Sequence, residues 1–127
     1  MSAMQKYIES VRNKPFQFGE HDCALFAAKA VDSIHGTRFT DRVLSFGCRS
    51  AKDYRAMIRQ GATLASMTTA ELGEPINDEQ QDGDVVLARI GGRAVLCIAS
   101  PPVLLAAGPI GIVAAPMSCA MMTWRVR

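Results

Sequence analysis

The spacing of apolar residues changes once along this chain, and the change falls in the polar stretch Glu74 to Asp84, which carries Pro75 and Gly83 and reads as a loop. Before it, apolar residues recur at helical intervals. After it they form short runs, Val85 to Ala88, Ala94 to Ala99, Val103 to Ala106, Ile112 to Ala115 and Thr123 to Val126, divided by glycine and proline. Helices first and strands second predict an α+β fold, with N-terminal helices packed on a small antiparallel sheet. At 127 residues there is room for one core, so a single domain over 1–127 is expected, helical to about 73 and β from about 84.

The helical part has readable punctuation. Ser2 with Gln5 forms a capping box, Met4, Tyr7, Ile8 and Val11 give an apolar stripe, and Lys14-Pro15 ends the segment. Phe16 to Gly19 reads as a short extended piece. Asp22 is placed to cap a helix from Cys23 to about Ile34, with Leu25, Phe26, Ala30, Val31 and Ile34 inward, His35 in the last turn and Gly36 as the stop. Ser50 with Asp53 starts another helix, whose Tyr54, Met57 and Ile58 line one side up to Gly61. A short helix is expected over Thr68 to Leu72.

Composition excludes several function classes. A formal charge of +2, with Lys and Arg scattered and no interleaved aromatics, gives no reason to expect nucleic acid. The longest apolar stretch, Ala94 to Ala115, is broken by Pro101, Pro102, Gly108, Pro109 and Gly111, so no membrane span is expected. Met1 to Arg12 reads as an amphipathic helix and not a signal peptide, which predicts a soluble protein made in the cytoplasm. Cys23, Cys48, Cys97 and Cys119 form no Cys-x-x-Cys pair and the two histidines add no metal spacing, so neither metal nor cofactor is expected. Cys48 and Cys119 read as core or interface thiols.

Cys23 is the candidate for chemistry. A thiol in the first turn of a helix sits among backbone N–H groups without intrahelical partners, a setting that favours thiolate and predisposes the residue to a lowered pKa. Catalysis by such a thiol needs a base. His21 lies two residues away, just outside the helix, while His35 is about 18 Å off by helix rise. Cys97 falls on the strand expected to face the Cys23 helix, where it could approach the thiol.

The run Pro15-Phe16-Gln17-Phe18-Gly19-Glu20-His21-Asp22-Cys23-Ala24-Leu25-Phe26 resembles the nucleophile segment of NlpC-type papain-like cysteine peptidases. Gln81-Asp82-Gly83-Asp84-Val85-Val86-Leu87 is similar to that family's Gly-Asp-Leu-Val strand start, and with the closing Trp124-Arg125-Val126 the chain resembles a short phage and prophage branch. The resemblance implies a papain-like fold with Cys23 at the nucleophile position. It also implies a setting among tailed-phage tail-tip proteins, beside the hub and distal tail protein, or against copies of itself in a ring. In that family the base is a histidine near the start of the next strand, and here the position falls on Ala94, or on Arg93 with a shift of one. Neither can accept a proton from a thiol. The resemblance therefore implies a virion tail-tip or baseplate component that is catalytically inactive. The alternatives are a peptidoglycan-cleaving cysteine endopeptidase using Cys23 with His21, or with a base from a neighbouring subunit, and a bacterial role for a retained prophage gene.

Overall fold

The computed structural model describes residues 2–59 and 63–126. Five helices precede five strands: α1 (Ala3–Ser10), α2 (Cys23–His35), α3 (Phe39–Leu44), α4 (Ala51–Arg59) and α5 (Leu64–Leu72), then β1 (Val85–Ile90), β2 (Arg93–Ser100), β3 (Val103–Gly108), β4 (Gly111–Pro116) and β5 (Ala120–Trp124). The expected α+β order is present, with one antiparallel sheet in the order β4-β3-β2-β1-β5.

Local chemistry explains the helix ends. The Ser2 and Gln5 capping box forms, and Asp22 caps α2 by accepting the Leu25 N–H at 2.9 Å. Gly36 closes α2 in the left-handed conformation. Ser50 accepts the Asp53 N–H at 3.2 Å, but the Asp53 carboxylate turns to the Arg49 N–H instead of completing a box. Gly61, expected to end α4, and the side chain of Ile58 lie outside the described residues. Helix α5 begins at Leu64, four residues earlier than expected, because Thr63 and Ser66 form a second capping box. Helix α3 was not expected at all. Its cap comes from α2, where Asp32 accepts the N–H groups of Phe39 and Thr40 at 3.0 and 2.9 Å.

The sheet cannot be flat. Its two edges, β4 and β5, are joined by only Met117 to Cys119, in a 3₁₀ turn. Four strand spacings in a flat sheet would separate those edges by about 19 Å, whereas the connection reaches at most about 14 Å. The sheet therefore coils into a half-barrel. Its inner face is lined by Val86, Ala88, Cys97, Ala99, Leu104, Ala106 and Ala115, mostly small side chains that allow the tight curl. The opposite face presents Val85, Leu87, Leu96, Ile98 and Trp124 to the helices, chiefly α2. Ala24, Ala27, Ala28 and Ala30 let α2 lie close to that surface. Each large aliphatic side chain buried there contributes about 1.5–3 kcal/mol. Trp124 is fully buried and donates its indole N–H to Thr69 Oγ1 at 3.2 Å.

Both sheet edges are blunted against further pairing. On β4 the outward N–H of Ile112 donates to the Arg12 carbonyl at 2.9 Å, and Pro116 has no donor. Gly111 is required at this contact, because a Cβ would come within 2.5 Å of the Arg12 oxygen. On β5 the Ile76 N–H donates to the Thr123 carbonyl at 2.7 Å. The Gly83-Asp84 segment has a structural task. The buried Asp84 carboxylate receives the Arg125 guanidinium through Nε at 3.0 Å and Nη2 at 2.9 Å, together with the Gln81 N–H at 2.9 Å. This clamps the acidic loop to the end of β5.

Candidate functional site

The segment before α2 is a tight turn. Gln17 and His21 exchange backbone hydrogen bonds at 2.9 and 2.8 Å, and Gly19 supplies the positive φ of 82° that the turn needs. Asp22 spends both carboxylate oxygens on this backbone, one on the Gly19 N–H at 3.0 Å and the other on the Leu25 N–H. Phe16 meets Phe18 edge-on at 4.9 Å, and Phe18 meets Tyr54 of α4 at 5.4 Å, so an aromatic cluster props the turn from outside.

Cys23 is half-buried at the start of α2, where the Leu96 backbone of β2 and its own helix start supply hydrogen bonds to sulfur. Those bonds favour thiolate, as expected of a helix N-terminus. Burial outweighs them, the Asp22 charge adds to it, and the thiol is pushed up to about 11. The expectation of a lowered pKa is therefore corrected: desolvation by burial is larger than the helix-terminus effect.

The structure does not pair His21 with Cys23. The imidazole is 1% exposed and packs edge-on against Phe26 at 6.1 Å, and its Nε2 has no hydrogen-bond partner. Burial, followed by the nearby charges of Lys14 and Lys29, lowers its pKa. His35 stands at the far end of α2. Ala94 is exposed and shares the helix-facing parity of Leu96 and Ile98.

Cys97 lies on β2 as expected, its side chain packed in the half-barrel with Val86 and Ala88, and it is near enough to Cys23, and then to Cys119, for their charges to act on it. Burial raises it to about 12. No group of three or more His, Cys, Asp or Glu among the described residues could hold a metal ion.

The spacing gave no sign that Cys48 and Tyr54 come together here. A small cleft of about 40 Å³ beside Asp22 is lined by Gly19, Phe46, Cys48, Tyr54 and Met57. Tyr54 reaches Asp22 from α4, and burial together with the neighbouring Cys23, Asp22 and Cys48 raises its pKa. Cys48 Sγ lies 3.8 Å from Met57 Sδ, and burial raises this thiol as well. Burial thus raises all three groups, Cys23, Cys48 and Tyr54. The cleft's walls are mainly apolar, with Asp22 and Arg49 as its charged members.

No helix among the described residues is long and apolar enough to cross a membrane. No curated protein matches the sequence. The model of a family described as a domain of unknown function, DUF6950, matches residues 1–126, and the chain belongs to that family.

Proposed function

We propose that this chain is a structural component of a tailed-phage or prophage tail tip or baseplate, built on a papain-like, NlpC-type fold whose nucleophile position is catalytically silent. The observation that carries the silent site is the setting of Cys23: a thiol raised to about 11, with His21 turned into the core against Phe26. A cysteine peptidase needs the reverse, a depressed thiol pKa and an imidazole within hydrogen-bond reach. The tail-tip setting rests on the resemblance of the Cys23 and Gly83-Asp84 segments, and the α+β order with Asp22 capping the Cys23 helix is compatible with it.

The test is Cys23→Ala in the producing phage or prophage. Assembly and infectivity are expected to be unchanged, and the purified protein is expected to leave peptidoglycan uncut. Particles that assemble normally but lose infectivity with Cys23→Ala would refute the silent site and favour a peptidoglycan endopeptidase. Particles that lack the protein altogether would refute the tail-tip assignment.

A further inference from the structure

The near-neutral total conceals a sharp separation of charge. Residues 38–59 hold six cations (Arg38, Arg42, Arg49, Lys52, Arg55, Arg59) against two carboxylates (Asp41, Asp53), a net +4. Residues 71–84 hold six carboxylates (Glu71, Glu74, Asp78, Glu79, Asp82, Asp84) and no cation, a net −6. The cations that look scattered in the sequence are gathered by helix geometry, since Lys52, Arg55 and Arg59 recur at intervals of three and four and share one exposed side of α4. The other side of α4 faces inward through Tyr54 and Met57.

Neither patch is neutralised within the molecule. The ion pairs among the described residues are Arg12–Glu9, Arg42–Glu71 and those of Arg125 with Asp78 and Asp84. They leave Lys52, Arg55 and Arg59 without a carboxylate, and the exposed Glu74, Glu79 and Asp82 without a cation. The acidic loop is also held in a fixed shape, by the Arg125 clamp and the Ile76–Thr123 bond. Three unpaired cations on a helix and three unpaired carboxylates on an anchored loop are complementary in sign and number.

We infer that the exposed side of α4 docks the Glu74–Asp82 loop of a second copy of this chain. The contact joins two different patches, so it either closes a pair through two such contacts or continues from copy to copy. Blunted sheet edges fit this route, because pairing through β4 or β5 is obstructed. The inference is independent of Cys23 and of the tail-tip proposal, and its test leaves that residue untouched.

The test is sedimentation of the purified chain at low and high salt. Self-association is expected at 50 mM NaCl, weakening by at least about tenfold at 500 mM as the charges are screened. Lys52→Glu/Arg55→Glu/Arg59→Glu is expected to abolish it, as is Glu74→Lys/Glu79→Lys/Asp82→Lys. Mixing the two variants is expected to restore association, since each carries the partner of the other's remaining patch. Thermal unfolding of each variant checks that these exposed substitutions leave the fold intact. A chain that is monomeric at low salt up to hundreds of micromolar overturns the inference, as does association indifferent to both reversals. Salt-sensitive retention on heparin without self-association also overturns it and assigns the ridge to an anionic polymer. Should a variant fail to fold, the single substitutions Arg55→Glu and Glu79→Lys carry the same test, and association unchanged by both overturns it.

Discussion

Alkylation of Cys23 offers the sharpest test of how its surroundings act on it. A pKa of about 11 in place of 9.0 leaves about a hundredfold less thiolate near neutral pH. Part of this is offset, because a more basic thiolate is intrinsically more nucleophilic, with a Brønsted slope of about 0.4–0.5. Over the interval from 9.0 to about 11 that recovers about tenfold, leaving Cys23 about tenfold slower than an ordinary exposed thiol. Restricted access lowers the rate further. The assay is iodoacetamide labelling from pH 6 to 11, with mass spectrometry of the peptides resolving the four cysteines. The rate at Cys23 should keep rising beyond pH 10, where a free thiol has already levelled off. A plateau below pH 8, or labelling at pH 6 faster than that of a model thiol, would refute the burial argument and restore Cys23 as a prepared nucleophile.

Other perturbations test the framework around it. Arg125→Met removes the partner of a carboxylate that is 3% exposed and should lower the urea unfolding midpoint, with Asp84→Asn on that background recovering part of the loss. Asp22→Ala deletes the α2 cap and the Gly19 contact and should cost about 1–2 kcal/mol, while Asp22→Asn should retain most of the stability. The folded-state pKa of His21 lies below its ordinary 6.5, so the unfolded chain binds more protons and stability should fall as pH drops below about 6.5. Thermal unfolding against pH should show this acid limb flattened by His21→Phe, which also removes the orphaned Nε2.

Much of the fold is legible in residues that act locally. Asp22, Gly36 and the Ser2–Gln5 box fix helix ends through their own side chains or backbone, so spacing finds them. Helix α3 is invisible to the same reasoning because its cap is Asp32, seven and eight residues from the N–H groups it accepts, on another helix. The face of Cys97 is equally hidden. Val95 to Ala99 is apolar throughout, so only the coiling of the sheet, which buries both sides of β2, decides that Leu96 and Ile98 meet the helices while Cys97 turns inward. At the candidate site the position of Cys23 was readable, but its burial and its Leu96 hydrogen bond depend on tertiary packing, as does the contact of His21 with Phe26. Tyr54 enters the site from a helix more than 30 residues downstream, a contact no local spacing encodes.

These facts separate two reasons for a Gly-x-x-Asp-Cys turn at the head of a helix. One is chemical: such a turn presents a thiol to helix-terminal donors. The other is mechanical: Gly19 makes the reversal, Asp22 fastens both sides of it, and a small residue at position 23 lets α2 start against the backbone of β2. The mechanical demand needs no base and is met in full here. β2 acts on the sulfur through the Leu96 backbone hydrogen bond, which favours thiolate, while burial of the sulfur at this joint acts the other way and is the larger effect. A working nucleophile has to resist that trend with an imidazole within reach, and His21 is turned inward against Phe26 instead. Packing alone is then a sufficient reason for a side chain of cysteine's size at this joint.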